Sequence, residues 1–300
     1  MLREEFVEAV VDEIKNIVGD NAEVRHNEIR KNNGLVLNGI TIQMPGETVT
    51  PTVYIENFVD DEHAREDYIK GIHRIAKEII CTIAEHRNNP IITEFNVDKF
   101  MDFEYAKDNL HIRLVNYKAN EEMLREMPYE KFLDLAIICC VNVVNNGVIK
   151  ISNELLKTYG ISKETLFEIA KENAPKLEPA VGANMEEIIF GLIGRPNKLG
   201  KFNLNSRMYV LSNKSGVYGA AIMLYNEVLD ELASQVDSDL IVIPSSVHEL
   251  ILMPYENGMD IEAITEMIQD VNNTEVYLEE ILSNHAYIYN RFTKQIEMPN

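Results

Sequence analysis

Ser246, His248 and Glu249 fall within Pro244–Glu249 (PSSVHE), the densest local concentration of catalytic residue types in the chain. A hydroxyl, an imidazole and a carboxylate are the groups of a hydrolase or transferase in which a base activates a nucleophile. On a strand, side chains alternate between faces, so Ser246 and His248 would share one. Their bases would still stand about 6.5–7 Å apart, and the chain has no nucleophile elbow of the GxSxG type. The acid would be Glu249 or Asp239. The competing reading is a polar strand start with hydrogen-bonded serines, set among the core positions Ile241, Ile243, Val247, Leu250 and Leu252.

Other motifs are less complete. Gly194–Phe202 (GRPNKLGKF) resembles a phosphate-binding loop, but it has one residue too many between its glycines and Phe202 where a hydroxyl should hold magnesium. His248-Glu249 lacks the second histidine of a zinc-protease helix, because position 252 is leucine. The remaining histidines show no ligand spacing, and paired acids such as Asp237 and Asp239 lack the glycine-turned loop of a calcium site. No metal or cofactor is expected. Ser212–Gly216 (SNKSG) offers Lys214 and turn amides to an anion, with a plain connecting turn as its structural alternative. Cys81, Cys139 and Cys140 are odd in number and without CxxC spacing, so they read as buried free thiols.

The charge is one-sided. Acids outnumber bases 49 to 28, a formal charge of −21, which argues against direct nucleic-acid binding and against anionic membranes. Between Lys214 and Arg291 no lysine or arginine occurs, while 14 acids do. Within that span Leu224–Val236 and Ile261–Val271 read as amphipathic helices. They would project Glu227, Asp230, Glu231, Glu262, Glu266 and Asp270 to solvent as a negative face for a basic protein partner. No apolar run approaches the roughly 18 residues of a membrane span, and the acidic start (MLREE) does not fit a signal peptide, so the expected location is cytoplasmic.

The elements around these residues follow from periodicity. Residues 2–18 and 64–84 have apolar positions at helical spacing, and Asn32-Asn33-Gly34 separates two strand-like runs, 22–30 and 35–43, as a hairpin turn would. Leu110–Tyr117 adds a strand. Phe132–Val144 and Val148–Ile151 flank a second Asn-Asn-Gly at 145–147, and Ser152 and Ser162 stand as N-caps of two helices. Strands follow at 208–211, 240–244, 247–253 and 287–289. The expected fold is α+β in two lobes, 1–127 and 128–300, each a small, mostly antiparallel sheet packed with helices. The Pro/Gly-punctuated stretch 174–204 is expected to be a crossing segment or flap.

A set of segments carries a resemblance: Met208–Lys214 (MYVLSNK), Tyr218–Ala221 (YGAA), Leu224-Tyr225 with Val228-Leu229, and Asp239–Glu249 (DLIVIPSSVHE). Asn32–Gly39, Pro51–Tyr54, Phe132–Ala136, Asn153–Leu156 and Ala170–Pro175 extend it toward the N-terminus in the same order. Taken together the chain resembles an uncharacterised bacterial domain-of-unknown-function family common in gut anaerobic Firmicutes. That resemblance implies an intracellular bacterial protein with two α+β lobes and carries no reaction. The residues themselves point to a noncatalytic binding or regulatory protein with an acidic surface, which would engage a basic protein or imitate nucleic-acid charge. The alternative is the hydrolase or transferase built on Ser246 and His248.

Overall fold

A computed structural model describes residues 4–47, 49–59, 68–87, 97–143, 147–191, 196–202 and 206–299. Its contacts divide the chain into two compact units, Met1–Val97 and Asp98–Asn300. The class is α+β, with antiparallel sheets packed with helices.

In the first unit, helix α1 (Glu4–Val18) carries Val7, Val10, Val11 and Ile14 on one stripe between charged positions. Strands β1 (Glu23–Arg30) and β2 (Val36–Gln43) pair in register from Glu23 opposite Gln43 to Arg30 opposite Val36. Asn33 and Gly34 take φ of 56° and 73°, and the Leu35 amide closes the turn on the Asn32 carbonyl at 3.3 Å. Left-handed backbone at both central positions is what the twist of a tight hairpin requires, and asparagine and glycine adopt it at least cost. Strand β3 (Thr52–Tyr54) lies on the other side of β2. Helix α2 (Tyr68–Arg87) brings Ile72, Ile75, Ile79 and Ile83 against the α1 stripe, Ile40, Ile42 and Val53. One face of the sheet is thereby covered, as expected; residues 64–67 of the expected helix lie outside the described ones.

The second unit holds two sheets where the sequence reading allowed one per lobe. In the smaller, β6 (Leu135–Asn142) pairs antiparallel with β4 (Leu110–Asn116), β5 (Tyr129–Phe132) and β7 (Val148–Lys150). The expected boundary at 127/128 would part β4 from β6 along a seven-residue register, and the contacts divide at 97/98 instead. The expected single strand 132–144 is corrected too: it begins as β5, turns at Leu133-Asp134 and returns as β6. The 145–147 turn is not within the described residues apart from Gly147, but the β6–β7 pairing it would close is present. Helices α3 (Asn153–Tyr159) and α4 (Lys163–Leu177) start at Ser152 and Ser162, whose hydroxyls accept the Leu155 and Thr165 amides at 3.0 and 3.2 Å. Gly160 ends α3 in the left-handed region at φ 65°.

The larger sheet runs β13 (Gln295–Glu297), β12 (Tyr287–Asn290), β10 (Leu240–Pro244), β11 (Glu249–Pro254), β9 (Tyr209–Asn213), β8 (Ala180–Asn184), antiparallel throughout. Strand β8 corrects the flap expected at 174–204. Helix α4 continues through Pro175, and Ala180–Asn184 pair along the whole of β9, because small residues there let the strand lie close on Tyr209. Helix α5 (Asn226–Val236) follows β9, and α6 (Ile261–Thr274) packs Ile268 against Ile241 and Ile243. Asp134 ties the sheets, accepting from the Ser283 and Tyr287 hydroxyls at 2.7 and 2.6 Å. Cys139 and Cys140 are buried as expected, with burial pushing both thiols up, whereas Cys81 on α2 is exposed.

Candidate functional site

Ser246 and His248 lie in the turn between β10 and β11, one step before the strand on which they were expected to share a face. The turn is closed by its own polar groups: the Ser246 hydroxyl accepts the His248 amide at 3.0 Å. Buried Val247 donates its amide to the Glu280 carbonyl at 2.8 Å and accepts from the Ala220 amide at 3.2 Å. The His248 carbonyl accepts the Ser212 hydroxyl at 2.7 Å. These bonds lock the backbone.

The imidazole is also committed. His248 Nδ1 lies 3.2 Å from the Tyr218 amide, and a backbone N–H can only donate, so Nδ1 bears the lone pair. The neutral ring then carries its proton on Nε2, which faces Glu280 Oε1 at 3.6 Å. Its lone-pair nitrogen is therefore engaged by the Tyr218 amide. Glu249 opens β11 opposite Ser212, and Asp239 accepts the Arg291 amide at 2.9 Å. Among the described residues, the Ser246 hydroxyl bonds to the His248 amide and no hydrogen bond joins it to the His248 ring.

His248 instead helps to hold Tyr218, which has φ 54°, a left-handed conformation that is strained for an aromatic residue. The next residue, Gly219, has no space for a side chain: a Cβ there would stand 2.3 Å from Ser212 Oγ and 2.5 Å from the His248 carbonyl. Fixed in this way, the Tyr218 ring has His248 at its edge, 5.7 Å between centroids, and the Arg113 guanidinium over its face at 4.2 Å. Burial pushes the Tyr218 phenol up.

Arg113 comes from β4, where His111 and Arg113 stand opposite Cys140 and Ile138 on one face. The alternation of Leu110–Asn116 gives that face the pattern of a solvent side, yet both residues are buried, Arg113 with 8% of its surface exposed. His111 is held neutral, its pKa lowered to about 4 by burial and by the charge of Arg113. Arg113 lines a cavity of about 420 Å³ together with Asn142, Glu178, Lys214 and Ser215. Glu178 Oε2 accepts the Ser215 hydroxyl at 3.0 Å and Oε1 faces Asn142 Nδ2 at 3.5 Å. Lys214 and Ser215 belong to the turn singled out as an anion-binding alternative, which Asn213 organises by accepting the Gly216 amide at 2.6 Å. Arg113 and Glu178 were not singled out from sequence, and Tyr218 entered only as the start of the family-like segment Tyr218–Ala221; the visible signal was two basic residues on alternate positions of a largely apolar strand.

A larger concavity of about 760 Å³ borders Ile112, Ile137 and Met223. Its cations are engaged already, Lys171 with Glu130, Lys294 with Asp230 and Lys131 over the Tyr117 ring. Among the described residues no cluster of histidine, cysteine and acids could hold a metal.

The six acids separate by environment. Glu227 and Glu231 on α5 are exposed, but Asp230 is half-buried and paired at 2.6 Å with Lys294, and Arg291 reaches Asp237. The acidic span thus gains cations from beyond its sequence limits. On α6, Glu262, Glu266 and Asp270 are exposed at successive i, i+4 positions. Beside them stand Met267 and Val271, 50% and 45% exposed, and past the helix end Tyr277 and Leu278, 77% and 53% exposed.

The fold and these sites define an α+β protein with an acidic helix surface and a polar cavity, and no described helix is long and apolar enough to cross a membrane. The chain belongs to a family of unknown function, DUF5688, which matches residues 3–291. No curated protein and no solved structure matches it.

Proposed function

We propose that the chain is a noncatalytic binding or regulatory protein whose helix α6 receives a basic, partly apolar segment of a protein partner. The observation that carries this reading is the pair of adjoining stripes on α6. Glu262, Glu266 and Asp270 stand without an ion-pair partner among the described residues, and Met267 and Val271 run alongside them in solvent. Exposed apolar side chains rimmed by one sign of charge favour a partner with both features, and this distinguishes protein recognition from charge imitation alone. The occupied turn of Ser246 and the committed lone pair of His248 count against the hydrolase or transferase reading.

Binding of a defined lysine- and leucine-rich amphipathic helical peptide tests the proposal through salt-dependent kinetics. Association should slow as salt rises, since exposed charges are screened over about 8–10 Å near physiological ionic strength. Glu262→Lys, Glu266→Lys and Asp270→Lys together should slow it by about tenfold or more while leaving the unfolding free energy within about 0.5 kcal/mol of wild type. Equal binding by that variant, with no salt dependence, would sink the reading.

A further inference from the structure

The cavity beside Arg113 pairs a costly charge with a shaped lining. A guanidinium withdrawn from water normally faces a carboxylate. Arg113 is 8% exposed, its Nε has no hydrogen-bond partner among the described residues, and its contact is the Tyr218 ring. Arginine is the side chain best suited to grip a carboxylate by two parallel hydrogen bonds. Glu178, on the same cavity, presents the opposite charge, with its oxygens oriented by Ser215 and Asn142. The rest of the wall is aliphatic: Val143, Val148, Leu177 and Val217. The volume of about 420 Å³ falls in the range of small-molecule sites, which combine apolar walls with a few placed polar groups.

We propose that this cavity binds a small zwitterion with an aliphatic body, of the α-amino acid class. Its carboxylate faces Arg113, its ammonium faces Glu178, and its hydrocarbon side chain lies on the valine and leucine wall. An anion alone would meet the repulsion of Glu178, and an amine alone would leave Arg113 unpaired. The site is separate from α6, so its test stands apart from that of the proposed partner.

Calorimetric titration of the full chain with L-leucine, L-isoleucine and L-valine tests the assignment, with 3-methylbutylamine, 4-methylpentanoate and inorganic phosphate as controls. At least one amino acid should bind at micromolar to millimolar concentration, and loss of either its carboxylate or its amine should weaken binding by about tenfold or more. Arg113→Met should abolish binding with the melting temperature unchanged or raised, because it removes a buried charge that has no carboxylate partner. Glu178→Gln, a near-isosteric change, should weaken amino-acid binding while leaving 4-methylpentanoate unaffected or tighter. No binding by any of the three amino acids, phosphate or 4-methylpentanoate binding as tightly as the zwitterion, or wild-type affinity in both variants would overturn the proposal. Cooperative unfolding at lower temperature in Arg113→Met, with affinity retained in Glu178→Gln, would likewise assign these residues to structure alone.

Discussion

His111 couples the interior of the second unit to pH. Its ring is buried beside Arg113, and both effects lower its pKa from an ordinary 6.5 to about 4. The unfolded chain therefore binds a proton below about 6.5 that the folded chain refuses, so stability falls as pH drops through that window and levels off below about 4. The depression corresponds to at most about 3 kcal/mol. His111→Gln should flatten the difference between unfolding free energies measured by urea titration at about pH 7 and about pH 4 by that order. An unchanged pH slope in the variant would show that His111 is protonated in the fold. At the same scale, His248 illustrates how a catalytic residue type can be absorbed by a turn. Its Nδ1 holds the Tyr218 amide, and that bond fixes the aromatic ring over which Arg113 lies.

Elements whose signals are local were legible in the sequence. The Asn32-Asn33-Gly34 hairpin, the serine caps of α3 and α4, the isoleucine stripe of α2 and the strand Leu240–Pro244 all stand where residue types and spacing placed them. The turn between β5 and β6 was not, because Leu133 occupies the left-handed position at φ 56° with no glycine or asparagine to mark it. Its compensation is Asp134, whose bonds to Ser283 and Tyr287 lie about 150 residues away in sequence. Strand β8 was hidden for a related reason: prolines and glycines read as breakers, whereas Gly182 is there because a Cβ would stand 2.7 Å from the Tyr209 ring. The candidate cavity was half legible, through Lys214 and Ser215, since burial of Arg113 depends on pairing across β4 and β6. Gly219 tests how tightly the β9-to-α5 connection is packed. Gly219→Ala should cost about 3 kcal/mol in chemical denaturation, as overpacking against backbone atoms commonly does, and should loosen Tyr218. A cost below about 0.5 kcal/mol would mean that Ser212 and the His248 carbonyl move aside freely.

At the scale of the whole molecule, the division of the chain decides which fragment can fold. Residues 98–127 add β4 to β6 along seven residue pairs, from Leu110 opposite Val141 to Asn116 opposite Leu135. They also supply Leu110, Ile112, Leu114 and Val115 to the interior, all buried. A fragment starting at 128 would strip these away and leave β6 with one long edge unpaired, carrying the apolar run Leu135–Val141 as a template for aggregation. It would also lose His111 from the interior and, with Arg113, the guanidinium that lines the cavity. A fragment beginning at 98 keeps both sheets of the second unit complete, with the Asp134 bonds that join them. Expressed separately, 98–300 should be recovered as a monomer with a cooperative thermal transition, and 128–300 should aggregate or show no transition. Size-exclusion chromatography and circular dichroism of the two fragments measure this. A cooperatively folded, monomeric 128–300 would place the boundary at 127/128 after all and show that β4 is an accessory edge, whereas burial of all but the last of its seven residues makes it part of the core.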